Sequence, residues 1–161
     1  MDLFEKWLSN TKSKWVIRTL TDNSYKKEYQ KVNHSEYQGE VNTDLATYGD
    51  AIIKLCFLEI LLDNVNQLTE EKTKYESDKN LVFTIGRYYN ILKYIKKDNS
   101  DSNLPNDYDY EKYQTKNDNK TKYIATAVEA MIGAIYKETN DLSSIVDLLI
   151  KWKDISDKSL V

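Results

Sequence analysis

The chain has 161 residues and is 40% hydrophobic and 30% charged, which fits one domain with a buried core and excludes a disordered chain. Its net charge of −3 excludes a protein whose whole surface binds nucleic acid, although 23 Lys and Arg leave room for a local basic groove. With four Gly and one Pro the chain is poor in turn residues, so long helices are favoured over sheets.

The N-terminal third predicts short helices joined by polar segments. Apolar residues recur at helical spacing over residues 2–9 and 12–20, so we expect a helix in each range. Residues 21–24 have the composition of a turn. Residues 26–43 are polar with no clear period, which predicts a loop with room for a short helix.

Two central helices are expected at residues 44–62 and 121–137, because both ranges are apolar on most sides. Further helices are expected from residue 69, within residues 77–95, and over residues 142–153. Residues 96–120 are rich in Asn and Asp and predict a polar loop insertion. We therefore expect a single all-α domain that spans residues 1–161.

Location and redox state are constrained by the single cysteine and by the absence of a membrane-spanning pattern. Cys56 lies in an apolar run, so we expect a buried thiol and no disulfide within the chain. The longest apolar stretch, residues 51–62, contains two charges and is shorter than the ~20 residues that cross a bilayer. No signal peptide is apparent at the N-terminus, and a cytoplasmic protein that does not bind membranes is expected.

The two central helices carry the candidate chemistry. Asp50 lies four residues after Ala46, and Glu129 lies three residues after Thr126, so each pair shares a helix face. Each helix also contains an interior glycine, although glycine is about 1 kcal/mol less favourable than alanine there. A helix tolerates glycine where another backbone must approach, so helices that cross at their glycines would bring Asp50 and Glu129 together.

Three segments resemble the ribonuclease III domain family and occur in the family's order. They are residues 18–25, the tripeptide Gly49-Asp50-Ala51, and residues 128–136, which read Val-Glu-Ala-Met-Ile-Gly-Ala-Ile-Tyr. The resemblance extends over about residues 10–150. It implies an all-α endonuclease domain that holds Mg²⁺ or Mn²⁺ between two helices, acts on double-stranded RNA and forms a homodimer.

The resemblance assigns roles residue by residue. Asp50 and Glu129 match the family's acids and are the expected catalytic and metal-binding residues, with Thr126 as a weak metal ligand in place of an Asp. Ala46 and Thr43 stand where the family has Glu, so the metal site should be weaker than usual. The candidates for a substitute acid are Asp44, Glu76 and Asp78. Both matched acids also have an ordinary interpretation: Asp50 as a carboxylate near a helix start and Glu129 as a solvated helix residue.

These observations leave three functions open. The first is a divalent-metal-dependent endoribonuclease that acts on double-stranded RNA in RNA processing, at ordinary or at low activity. The second is a catalytically inactive domain of the same fold that binds RNA or a protein partner, as ribosome-associated relatives do. The third is a helical module with no role in RNA metabolism.

Two further features bear on the partners. Thr47 stands where the family usually has a Phe in the dimer contact, so the usual interface is altered. Seven basic residues between the motifs form either a solvated face or a surface that contacts phosphates: Lys72, Lys74, Lys79, Arg87, Lys93, Lys96 and Lys97. The 24 residues after Lys137 are too few for a double-stranded RNA-binding domain, so weak intrinsic affinity for RNA is expected.

Overall fold

The structure, a computed structural model, describes residues 1–98 and 121–159. These residues form α1 (Leu3–Ser9), α2 (Lys14–Thr19), α3 (Tyr25–Asn33), α4 (Thr43–Leu61), α5 (Leu68–Glu76), α6 (Asp78–Asn80), a π-helical segment (Leu81–Gly86), α7 (Arg87–Tyr89), a 3₁₀ segment (Ile91–Tyr94), α8 (Lys122–Thr139) and α9 (Leu142–Ser159). The expected all-α class is confirmed. Most of the predicted loop insertion, residues 99–120, lies outside the described residues, and the single-domain organisation stays a prediction.

Helices α4 and α8 form the centre of the bundle and pack against each other more extensively than any other pair of described elements. Ile53 and Cys56 of α4 and Val128 and Ile132 of α8 are fully buried. Neighbouring helices cover most of the circumference of α8, whereas α4 leaves one side, with Tyr48 and Leu55, exposed. The strongest sequence signals therefore identified the two elements around which the rest of the chain packs.

The two helices cross at Gly49 and Gly133, as their interior glycines predict. A Cβ atom on Gly49 would overlap the backbone carbonyl oxygen of Glu129 and lie 2.9 Å from the nitrogen of Gly133. A Cβ atom on Gly133 would overlap the carbonyl oxygen of Leu45. Only a residue without a side chain fits at these positions, so the crossing brings the backbones into direct contact.

The N-terminus is fastened to α9 by one hydrogen-bonded network. Asp2 caps α1 by accepting a hydrogen bond from the Glu5 amide at 2.9 Å. Its other oxygen accepts from the Tyr89 hydroxyl at 2.8 Å and from Lys151 Nζ at 2.6 Å. The Tyr89 hydroxyl in turn accepts from the buried Trp152 indole at 2.8 Å. The first turn of the chain is thereby linked to the last helix.

The structure differs from the sequence-based expectations in two segments. Residues 26–43, expected to be a loop with room for a short helix, contain all but the first residue of the nine-residue helix α3, and no residue of this helix is buried. The helix is held instead by ring contacts of Tyr25 and Tyr29 with Tyr37, at centroid distances of 5.3 and 5.2 Å. The final helix continues to Ser159, well beyond residue 153. Its last turns are mostly polar, so the apolar pattern that predicts the helix stops before the helix does.

The helical segment expected within residues 77–95 is broken into four pieces. A π-helical segment separates α6 from α7, and Asn90 then adopts a left-handed conformation at φ 51° that ends the run. No helix among the described residues is long and apolar enough to cross a membrane.

Replacing Gly49 by Ala tests the crossing. Alanine normally stabilises a helix interior relative to glycine, but here we expect destabilisation by about 1–3 kcal/mol because the added methyl group forces α4 and α8 apart. Urea unfolding of the parent and the variant measures the difference. The control is Ala51→Gly on the exposed side of the same helix, which should destabilise by only about 1 kcal/mol. A stabilised Gly49→Ala variant would contradict the close approach.

Replacing Asp2 by Asn tests the network at the N-terminus. Burial acts to raise the pKa of Asp2, but hydrogen bonds from Lys151, Glu5 and Tyr89 outweigh it and hold the pKa below its ordinary value of 3.8. The ionised carboxylate therefore stabilises the fold above that pH, and the contribution is lost as the pH falls through the lower folded-state pKa. At pH 7 we expect the variant to lose about 1–2 kcal/mol.

The difference in stability between the parent and the Asp2→Asn variant should become smaller as the pH falls. Thermal unfolding of both proteins at neutral and acidic pH measures this change. The control is Asp147→Asn, which removes an exposed carboxylate from α9. A loss of stability that is the same at both pH values would show that the charge of Asp2 is not responsible.

Candidate active site at the helix crossing

The crossing places the two predicted acids next to each other. Asp50 follows Gly49 on α4, and the backbone of Glu129 on α8 forms the surface against which Gly49 packs. Burial raises the pKa of Glu129, the charges of Asp50 and Asp78 add to this shift, and Lys122 and Lys54 oppose it, so that the pKa lies at about 7. Two carboxyl groups distant in the sequence thus share one electrostatic environment, as the glycine positions predict.

Lys54 lies within this acidic group, and the sequence analysis missed it. Its Nζ donates to Asp50 Oδ2 at 2.8 Å, one helical turn away. The hydrogen bond to Asp50 is the main cause of the raised pKa of Lys54, which burial opposes and the charges of Asp50, Glu76 and Glu129 reinforce. The signal in the sequence was the spacing of four between Asp50 and Lys54, which places opposite charges on one helix face. The site therefore contains a cation of its own.

Of the three candidates for a substitute acid, two contribute charge to this group. Asp78 acts on Glu129 from the start of α6. Glu76 acts on Lys54 from the end of α5. One Glu76 oxygen accepts from Lys72 at 2.6 Å, and its other oxygen is buried without a hydrogen-bond partner among the described residues. Asp44 is exposed in the first turn of α4.

Of the three positions at which the resemblance predicts an acid, Thr43 is exposed at the start of α4. The other two are occupied differently. Ala46 is 6% exposed and belongs to a small apolar cluster with Leu45, Ala130 and Ala134, against which two Trp side chains pack. Thr126 donates its hydroxyl proton to the carbonyl of Lys122 at 3.1 Å, one turn back along α8. Position 46 therefore offers no oxygen, and Thr126 offers only the lone pairs of a neutral hydroxyl.

The donor set fits one divalent cation better than two. Asp50 and Glu129 together balance the charge of one such cation when both are ionised, and the buried, unpaired oxygen of Glu76 is a further hard donor near Lys54. No group of three or more His, Cys, Asp or Glu side chains with metal-binding geometry occurs in the part of the chain that the structure describes. The ligand set of Asp50, Glu129 and Thr126 accordingly stays a prediction.

Comparison with protein families agrees with the all-α fold. The model of the ribonuclease III domain matches residues 43–140, which is more than half of the chain. The chain therefore belongs to the ribonuclease III domain family. The matched range begins with α4 and ends just after α8, so it contains both candidate acids. A comparison with curated proteins gave no match.

Replacing Lys54 by Met tests whether this lysine competes with a divalent cation. The variant removes a positive charge from the acids and frees Asp50, so we expect Mn²⁺ to bind about three- to tenfold more tightly. Isothermal titration calorimetry with Mn²⁺ on the parent and variant measures the change. The control is Lys137→Met, an exposed lysine in the last turn of α8. Equal affinities of the parent and the Lys54 variant would show that the lysine does not occupy the cation's place.

Proposed function

We propose that the domain is a divalent-metal-dependent endoribonuclease that hydrolyses phosphodiester bonds in double-stranded RNA during RNA processing, at low activity. The observation that carries the proposal is the meeting of Asp50 and Glu129 at the glycine crossing inside a ribonuclease III domain. Members of this family generally use Mg²⁺ and act on duplex RNA.

The chain's own residues have three tasks in this reaction. Asp50 and Glu129 would hold Mg²⁺ or Mn²⁺ with their carboxylate oxygens, and the hydroxyl of Thr126 would be a weak additional ligand. The cation would supply an activated water and positive charge for the phosphate under attack. The rigid contact of α4 and α8 fixes the two carboxylates relative to each other, and Lys54 balances Asp50 when no cation is bound.

The partner that the family implies is a second copy of the chain, and the exposed side of α4 supports this. Tyr48 and Leu55, seven residues apart, are 39% and 46% exposed, which is high for large apolar side chains on a central helix. Thr47, in place of the family's usual Phe, is exposed beside them. We therefore propose a homodimer through this side of α4, with a contact that differs from the usual one.

A second candidate function is favoured by specific contacts. The ion pair of Lys54 with Asp50 and the burial of Ala46 together describe a site that is charge-balanced without a metal ion. A domain of this kind would bind structured RNA or a ribosome-associated protein and cut nothing.

Cleavage of long duplex RNA in Mg²⁺ or Mn²⁺ distinguishes the two candidates. We expect slow cleavage by the parent and a loss of about 10²-fold or more in the double variant Asp50→Asn, Glu129→Gln, which keeps the shape of both side chains and removes their charge. The control Asp147→Asn should cleave like the parent. Gel electrophoresis of the RNA over time measures the rate.

Binding measured in the presence of EDTA completes this test. Duplex RNA that is bound but never cleaved supports the inactive module and contradicts the nuclease. Absence of both binding and cleavage at low salt contradicts both candidates and leaves a helical module without a role in RNA metabolism. Sedimentation of the same sample at micromolar concentration as a monomer would contradict the homodimer.

A further inference from the structure

A groove of about 1010 Å³ lies between the segment that runs from α5 to α7 and the C-terminal part of α9. The proposed nuclease reaction does not use it. Its basic lining residues are Lys74, Lys79 and Arg87, and no Asp or Glu is among the residues that line it. A cavity with this charge is unusual in a chain whose net charge is −3. The groove therefore favours an anionic ligand.

Two of the acidic groups near the groove, Glu71 and Asp157, are paired with neighbouring side chains. Glu71 accepts from Lys74 at 2.9 Å, and the Lys74 side chain is 48% exposed, so this ion pair exchanges easily with a phosphate. Asp157 accepts from the Tyr75 hydroxyl at 2.6 Å and from Lys153 at 2.8 Å. Neither carboxylate presents an uncompensated charge to a ligand.

Aromatic rings accompany the cations in the lining. Tyr75, Phe83 and Tyr88 lie along the groove, and Tyr88 is 48% exposed. Lys151 holds its Nζ 5.3 Å from the centre of the Tyr88 ring. Tyr75 is only 3% exposed and Phe83 is partly buried, so Tyr88 is the exposed ring of these three. An exposed ring beside cations can bind single-stranded nucleic acid, because a base stacks on the ring while the cations contact the phosphates.

One end of the groove adjoins the acidic group. Ser77 and Lys79 line the groove and flank Asp78, whose charge acts on Glu129. One wall is the π-helical segment, a rare conformation that is frequent at functional sites.

We propose that this groove binds nucleotide units of single-stranded RNA, with Lys79 and Arg87 at phosphates and Tyr88 against a base. The proposal rests on the proposed function in so far as RNA is the substrate, and it adds a site for an unpaired stretch beside the duplex. The volume lies in the range of pockets that enclose ligands of nucleotide size.

Fluorescence anisotropy with a fluorescein-labelled oligoadenylate RNA decamer, in EDTA at low salt, tests the site. The double variant Lys79→Gln, Arg87→Gln should bind the decamer about tenfold or more weakly than the parent. The matched control is Lys26→Gln, Lys27→Gln, which removes two exposed lysines of α3 and changes the net charge equally. It should bind within twofold of the parent.

Equal losses in the two double variants would overturn the proposal, because binding would then follow net charge alone. Tyr88→Leu, at an exposed position, provides a second test. This variant should bind the decamer more weakly than the parent and leave thermal unfolding unchanged. Thermal unfolding of every variant confirms the fold, and Lys79→Glu alone replaces the groove double variant if that variant is unfolded.

Two competitors identify the source of the ligand. Displacement of the decamer by AMP supports the site and assigns it to single nucleotides, whereas resistance to AMP supports an RNA strand. Displacement by inorganic phosphate as effective as that by AMP would overturn the role of the base.

The failure of this proposal is distinguishable from failure of the nuclease. The variant Asp50→Asn, Glu129→Gln should lose duplex cleavage and bind the decamer like the parent. Suppose that the parent never cleaves duplex RNA and that only the groove variants lose decamer binding. This result would support the groove and contradict the nuclease.

Discussion

The direct backbone contact of α4 and α8 determines the arrangement of the rest of this structure. At the crossing, the carbonyl oxygens of Glu129 and Leu45 occupy the space that side chains on Gly49 and Gly133 would need. Small residues extend the contact, since Ala130 and Ala134 are fully buried beside it. A crossing this close fixes the two helices in one register. The backbone contact therefore holds the carboxyl groups of Asp50 and Glu129 near each other against their mutual repulsion.

The proximity of the two carboxyl groups causes like-charge repulsion, which neighbouring lysines reduce. Burial and two neighbouring carboxylates raise the pKa of Glu129 to about 7. Lys54 and Lys122 act in the opposite direction, and Lys54 also forms the ion pair with Asp50. Replacement of the family's acids by Ala46 and Thr126 lowers the repulsion further, because two negative charges are absent. The lysines and the two neutral side chains therefore reduce the repulsion at the crossing without removing it, since the pKa of Glu129 remains raised.

The sequence was informative where packing determines the local structure and uninformative where it does not. The central helices were predictable because burial on most sides leaves long apolar segments, and the interior glycines predicted the crossing. Helix α3 gave no such signal, since contacts among Tyr25, Tyr29 and Tyr37 hold it away from the core. The same reasoning applies to the residues of the candidate site. The pairing of Lys54 with Asp50 could be predicted from their spacing, whereas the burial of Glu76 depends on how α5 packs and could not be predicted from the sequence.

Two features of the site affect the binding of a cation differently: the ion pair of Lys54 with Asp50, and Ala46 in place of the acid that the resemblance predicts. Lys54 is 47% exposed on a flexible side chain, and an ion pair of this kind contributes about 0–1 kcal/mol, so a divalent cation can displace it from Asp50. The carboxylate oxygen that is missing at position 46 cannot be restored in this way, because Ala46 lies in an apolar cluster with Leu45, Ala130 and Ala134. The lysine therefore adjusts how tightly a cation is held, while the missing acid limits how many can be held. If the proposed nuclease function holds, the domain would work with one cation, and its rate would be limited by the smaller charge that one cation brings to the phosphate.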